Sequence, residues 1–475
     1  MMIEVVCGEC VEEMGRMEPA SFDLCLTDPP YDLTSKKRGG SGEASLNLDS
    51  PAGRSRVTTG GGFMGKEWDA TEVAFKVKTW RAVYRVLRPG GHLVAFGGTR
   101  THHRLMCAIE DAGFEIRDVL MWLYGSGFPK SMDISKAIDK AKGAEREVIG
   151  KKAVDVGMQG GHMHSGRESR VVEADVTAPA TELAQAFEEY GTALKPAYEP
   201  IIWAMKPLDG TFARNAEKWG CGGINVDAGR IEGPKGDGVW GTSNATCAPT
   251  INASRDQHDF RSQQHPQGRF PANVLLDETA ADMLDRQSGM RTSGRLGPGH
   301  TDHGKDSGVL GAYKGRSIDC EFGGDSGGAS RFFYTAKADG NERWFFCAEC
   351  RTVQSMGERE GHAHGCPAGK PWPHIHAHPT QKPAELMEYL LKLFDTPRGG
   401  KVIDPFCGSG TTLVAAARLH REAVGIEREP EYAEIARRRV ADPRSLRGDR
   451  AGRRRKAETR QCRLQIAEGK VRSDE

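Results

Sequence analysis

No run of apolar residues in this chain of 475 comes near the roughly 20 that a helix needs to cross a bilayer. The N-terminal segment, MMIEVVCGECVEEMG, also lacks the basic stretch and apolar block of a secretory signal. Together these absences set the expectation of a soluble, cytoplasmic protein with no membrane partner. Without export, the 12 cysteines read as thiols or metal ligands rather than a disulfide framework. Aromatic residues are scarce at 7% and hydrophobic residues reach only 38%, so loop-rich insertions are expected around a globular core. An excess of either charge is missing too: 66 Lys and Arg oppose 65 Asp and Glu. Any attraction to a charged partner must therefore come from local clusters.

The α/β signal is confined to the two ends. In residues 1–130, FDLCLTD and IRDVLMWLYG read as strands, FKVKTWRAVYRVL and RLMCAIEDAGF as helices, and RPGGHLVAFGG as a turn entering a strand. The Gly/Ser-rich SKKRGGSGEASLNLDSPAGRSRVTTGGG reads as a mobile surface loop. Residues 131–345 are rich in Gly, Asn, Asp, His and Ser with short periodic segments, and are expected to be an inserted region of irregular loops. A cysteine-histidine cluster occupies 346–375. The α/β pattern returns over 376–440 with the helix PAELMEYLLKLF, the strand KVIDPF, the helix TLVAAARLH, the strand AVGIE and the helix EYAEIARRRV. Residues 441–475, with RRRK at 453–456, read as a basic, disordered tail.

Two short motifs carry chemistry. LTDPPYDLT, residues 26–34, closes a strand with Asp28-Pro29-Pro30-Tyr31. Neither proline can donate a backbone hydrogen bond, so the chain leaves regular structure as a stiff loop presenting a carboxylate and a phenol ring. Alone, such a stretch reads more readily as a turn whose Asp caps the next helix. The second motif, VIDPFCGSGTTLVAAA, reads as strand, glycine loop and helix. Asp404 stands at the strand end, and Gly408 and Gly410 let backbone amides approach a ligand at the helix N-terminus. Absences narrow that ligand. No lysine follows Gly410, against a nucleoside-triphosphate loop, and position 413 is Leu where a dinucleotide fingerprint has its third Gly. S-adenosylmethionine remains, with Glu427 of AVGIERE, one βαβ step on, as the carboxylate for its ribose hydroxyls.

DPPY together with DPFCGSGTT resembles the amino-group DNA methyltransferases, which methylate exocyclic nitrogens of adenine or cytosine. The DPPY loop precedes the glycine loop by more than 300 residues, the permuted order of the β class. GGFMGKEWD, KPAYEPIIWAMKP, RFPANVLLD and RFFYTAKADGNER resemble segments of phage-borne members. The resemblance implies an α/β fold: a Rossmann-like S-adenosylmethionine-dependent methyltransferase sheet, circularly permuted, with a large irregular insertion that reads the target sequence. It implies double-stranded DNA as partner, in a bacterial or phage-infected cell, with a homodimer and a cognate restriction nuclease left open. Its cofactor residues here are Asp404, Phe406, Gly408, Ser409, Gly410, Thr411 and Glu427, with Thr380 and Lys382 of HPTQKP beside the methionine end. One departure is Gly8-Glu9-Cys10 where the family has Gly-Asp-Cys, so Glu9 would reach the cofactor adenine with an extra methylene.

An exocyclic amine is a poor nucleophile because its lone pair is delocalised into the ring. Accepting its N–H bonds at Asp28 and the Pro29 carbonyl favours a tetrahedral nitrogen, and Tyr31 offers a face for a base turned out of the duplex. The catalytic set expected is Asp28, Pro29, Pro30 and Tyr31. Attack at cytosine C5 would need a cysteine nucleophile after a proline, and the chain has no Pro-Cys dipeptide. Within the family it resembles, Asp rather than Ser before Pro-Pro-Tyr leans toward adenine N6, with cytosine N4 as runner-up and an inactive zinc-bearing DNA-binding protein as the other class. The expected structural zinc uses Cys347, Cys350, His362 and Cys366, with His364 as alternative ligand. Candidate DNA contacts are Lys36, Lys37, Arg38, Arg54, Arg56 and Arg453 to Lys456.

Overall fold

A computed structural model describes residues 2–32, 71–125, 127, 131–155, 171–231, 268–292, 300–301, 317–318, 326–336, 344–347, 353–355, 375–377, 381–397 and 399–446. Its centre is a nine-stranded sheet. In chain order the strands are β1 (Ile3–Cys7), β2 (Phe22–Thr27), β3 (Leu87–Phe96), β4 (Glu115–Leu123), β5 (Tyr198–Met205), β6 (Val274–Asp277), β7 (Tyr334–Ala336), β8 (Val402–Asp404) and β9 (Ala423–Glu427). Their order across the sheet is β1-β9-β8-β2-β3-β5-β4-β6-β7. Every pairing is parallel except those of β5, which runs antiparallel to β3 and β4. The two ends of the chain interleave, since β8 and β9 lie between β1 and β2.

The reason β2 sits in the middle is its composition: all six residues of FDLCLT are buried, as befits a parallel strand covered on both faces. On β3, Leu93 and Ala95 point into one core and Val94 and Phe96 into the other. The core of Leu93 and Ala95 packs the sheet against the helices Val77–Val86 and His102–Glu110; that of Val94 and Phe96 packs it against Ala384–Leu393 and Thr411–Arg418. The expected RPGG turn is taken up as a bulge. Phe22 pairs with Leu87 and Leu24 with His92, so Arg88 to Gly91 loop out, with Gly90 at a φ of 76°. Past that bulge the faces reset, which is why Phe22 and Leu24, two residues apart, serve opposite cores.

The strands and helices expected at both chain ends are present. The middle of the chain adds what its loop-rich composition did not signal: β5, β6 and β7 all come from 131–345 and extend the main sheet. Tyr334 at the start of β7 stacks on Tyr389 with centroids 3.7 Å apart, and the Tyr389 hydroxyl donates to the Gly229 carbonyl at 3.1 Å. The middle segment is thus docked onto the helix Ala384–Leu393. A smaller three-stranded sheet joins Trp344–Cys347, Val353–Ser355 and Ile375–Ala377, pairing Cys347 with Ile375. No helix among the described residues is long and apolar enough to cross a membrane.

Candidate active site

β2 ends at Thr27, and the two prolines carry the chain out over the C-terminal edge of the sheet. The turn is held from below by the Thr101 hydroxyl, which donates to the Tyr31 carbonyl at 2.9 Å. Asp28 meets a side chain from the far end of the molecule: Lys382 Nζ donates to its Oδ2 at 2.6 Å. Lys382 is only 6% exposed and also lies 3.2 Å from Glu199 Oε2 on β5. The Tyr31 hydroxyl donates to that same Oε2 at 2.9 Å. Asp28 Oδ1 is buried with no hydrogen-bond partner among the described residues. An acid, a base, a second acid and a phenol therefore form one continuous polar cluster, with a single acceptor left open.

Burial pushes the Asp28 carboxyl above the usual carboxylate range, and Lys382 partly offsets this while Glu199 adds to it. Burial would lower Lys382, but the two carboxylates more than compensate and hold it above the usual lysine value. Tyr31 is raised well above the ordinary phenol by burial and by both acids, so it stays neutral. Lys382 Nζ also lies 5.3 Å from the Tyr31 ring centroid and 5.1 Å from that of Phe96, where ring faces favour a cation.

A second wall is built from the turn after β8 and the end of β9. Asp404 is buried and accepts from the Thr27 hydroxyl at 2.6 Å and the Phe406 amide at 3.1 Å, tying the glycine loop to β2. Burial lifts its carboxyl to about 6. Glu427, at the end of β9, accepts from the Gly408 amide at 2.9 Å and the Glu429 amide at 2.8 Å, and burial lifts it to about 7. Glu9 caps the helix Cys10–Arg16 by accepting from Val11 and Glu12 amides at 2.9 and 3.1 Å. Asp28, Pro29, Pro30 and Tyr31 on one side, and Glu9, Phe406 and Glu427 on the other, line one cavity of about 1090 Å³. Lys76, Lys78, Arg100, Lys195 and Arg428 also line it.

A family model described as DNA methylase matches residues 22–438, which is most of the chain. The chain belongs to the DNA methylase family. Over 63 residues it is 52% identical to the Type II methyltransferase M2.DpnII of Streptococcus pneumoniae and 48% identical to M2.LlaDCHI of Lactococcus lactis subsp. cremoris. That stretch is 13% of this chain and 23% of either relative, so the match spans under a quarter of their length. Among solved structures it is similar to the DNA modification methylase TTHA0409 of Thermus thermophilus complexed with S-adenosyl-L-methionine, at 16% identity and a TM-score of 0.34 over 94% of this chain and 96% of that one. It is also similar to the cytosine-N4-specific PvuII DNA methyltransferase, at 14% identity and a TM-score of 0.39 over 92% and 86%. Both structural likenesses are too slight to bear on function.

Not every residue expected at the family's cofactor site reaches the cavity wall. Arg439, 1% exposed, donates from Nη1 to the Ser409 carbonyl at 2.7 Å, the Ser409 hydroxyl at 3.0 Å and the Thr411 hydroxyl at 3.1 Å. Ser409 and Thr411 are therefore turned toward the helix Pro430–Ala441. Gly410 has a φ of 81°, and a Cβ there would stand 2.8 Å from Ala436 Cβ, so its small size serves helix packing. Thr380, Cys350, His362 and Cys366 lie outside the described residues, as do the side chain of Cys347 and all the candidate DNA-contacting Lys and Arg; among the described residues no group could hold a metal ion. Glu199 is the functional candidate that sequence reasoning missed. It sits in KPAYEPIIWAMKP, a family-like segment, but nothing in its own neighbourhood marks it as a partner of Lys382.

Proposed function

We propose that the protein transfers a methyl group from S-adenosylmethionine to the exocyclic N6 of adenine in a specific sequence of double-stranded DNA. The observation that carries this reading is the shared cavity: the Asp28–Tyr31 loop and the Phe406–Glu427 wall face the same space. At about 1090 Å³ it exceeds the usual small-molecule pocket, leaving room for a nucleoside donor and a base turned out of its stack. The donor set fits the cofactor. Glu427 is a carboxylate at a strand end suited to ribose hydroxyls, Phe406 offers an apolar face, and Glu9 lies within the same wall. When bound, the cofactor supplies an electrophilic methyl on a sulfonium.

The chain's own residues would do the rest. The open Asp28 Oδ1 accepts one amine N–H, and the Pro29 carbonyl accepts the other. Withdrawing both hydrogens from the ring plane frees the nitrogen lone pair, and a stiff Pro-Pro loop means no reorganisation is needed at the moment of transfer. Tyr31 presents its ring for stacking while its hydroxyl is anchored on Glu199. The direct run of β2 into this loop fixes Asp28 against Lys382.

Incubation of unmethylated DNA with the protein and tritium-labelled cofactor tests the reading, followed by digestion to nucleosides. Label in N6-methyladenine is the expected result. Label in N4-methylcytosine would move the assignment to cytosine, and no incorporation with saturating cofactor would leave only a DNA-binding role. A structural zinc at Cys347, Cys350, His362 and Cys366 belongs to the same proposal and rests on the ligand spacing in the sequence. Metal analysis giving far less than one zinc per chain would remove it.

A further inference from the structure

The ammonium of Lys382 faces two carboxylates, Asp28 at 2.6 Å and Glu199 at 3.2 Å, and all three side chains are largely buried. An ammonium opposite one acid would cancel its charge. Shared between two, it leaves the cluster with one negative charge in excess, in a medium where that charge is weakly screened. Lys76, Lys78, Arg100, Lys195 and Arg428 line the same cavity, but among the described residues only Lys382 forms an ion pair with Asp28 or Glu199. Tyr31 and Tyr124 are held neutral, the latter raised by burial to about 12, and Asp404 behind Asp28 is another acid. Glu199 comes from β5, the antiparallel strand, and takes the Tyr31 hydroxyl at 2.9 Å on the same oxygen that faces Lys382.

We propose that Glu199 is a positioning residue that shares Lys382 with Asp28, so that the cluster keeps a surplus negative charge directed at a cationic reaction centre, and that it fixes the Tyr31 ring. This rests on the methyl-transfer reading. As the N–C bond forms and the C–S bond breaks, the electron pair of the latter goes to sulfur. One positive charge passes from sulfur to the amine nitrogen, which then releases a proton to solvent. The charge moves toward the nitrogen held at Asp28, so a net negative wall there favours the transition state more than the bound donor, and the cationic donor more than its uncharged product. A neutralised wall would not.

Glu199→Gln isolates the charge, since the amide oxygen still accepts from Tyr31 while Lys382 is free to neutralise Asp28. Its kcat for methyl transfer should fall about 10²-fold. The double variant E199Q/K382M removes both charges; at a pH high enough to keep Asp28 ionised without its lysine it restores the surplus, so there it should regain about tenfold over E199Q. A purely architectural Glu199 gives the opposite order, the double variant being the worse. A binding readout needs no turnover: calorimetry should show the affinity ratio of S-adenosylmethionine to the uncharged S-adenosylhomocysteine falling in E199Q, recovering in the double variant and holding in E199D. Unchanged kcat and ratio in E199Q, or no recovery in the double variant, would overturn the proposal. If the wild-type protein methylates no DNA, the functional reading fails, while the affinity ratio still decides the charge argument.

Discussion

Lys382 and Asp28 stand 354 residues apart in the chain and 2.6 Å apart in the fold. Their contact is the seam between the two halves of the candidate active site. Removing the cation leaves two largely buried carboxylates with no ammonium between them, so Lys382→Met should cost about 3–5 kcal/mol of stability. Urea denaturation against the wild type measures it. A loss well under about 1 kcal/mol, the range of exposed ion pairs, would mean the cluster is solvated.

Tyr31 separates its ring from its hydroxyl in a simple pair of variants. Tyr31→Phe loses the hydroxyl, with its bond to Glu199 and its interaction with Asp28, and should keep kcat within about tenfold of wild type. Tyr31→Ala loses the stacking surface as well and should lose about 10²-fold or more. Equal effects in steady-state methyl transfer would argue that the hydroxyl, not the ring, matters.

Two raised acids give the protein a defined pH response. Asp404 near about 6 and Glu427 near about 7 hold protons in the fold that an unfolded chain releases near about 4. Rising pH across that window therefore works against folding, and their contribution is favourable below it and lost above about 7. Glu427→Gln should flatten the upper part of this slope in denaturation measured from about pH 5 to about pH 8. Cofactor affinity should run the other way in the wild type, rising through about 7 as Glu427 becomes an ionised acceptor. Calorimetry across the same range should find that rise absent in E427Q.

The glycine loop has a packing requirement of its own. Gly410→Ala would force a residue with a Cβ into a φ of 81° and press it 2.8 Å from Ala436 Cβ. A loss of about 1–3 kcal/mol is expected from the backbone strain alone. Ala436→Gly in the same chain should remove the 2.8 Å contact but leave the Ala436 Cα at 3.0 Å and the backbone strain, so only part of the urea midpoint should return.

Legibility in the sequence followed locality. The strand of FDLCLTD, the helix after the glycine loop and the carboxylates at positions 28, 404 and 427 were readable because periodicity and motif spacing are short-range properties. β5 was not, because YEPIIWAM is a brief apolar run inside a loop-rich stretch, and only its antiparallel register against Phe96 and Leu120 makes it a central strand. Glu199 was hidden for the same reason: its meaning lies in a lysine far along the chain, and tertiary pairing alone reveals it. Ser409 and Thr411 carry an engagement that the motif did not signal. They sit inside a recognisable motif, yet Arg439, 30 residues beyond Ser409, uses them to hold the loop to its neighbouring helix.

The interleaving of chain ends also sets when the candidate site can be complete. During synthesis, β2 emerges early but its neighbour β8 is made only at residues 402–404, and until then one edge of β2 has nothing to pair with. Asp28 meets Lys382, and the cavity gains its second wall, only after nearly the whole described chain has left the ribosome. A nascent or prematurely stopped polypeptide would carry the DPPY loop without a partner for it. On the proposed function, an incomplete chain would hold the loop without the lysine and the second wall that methyl transfer uses.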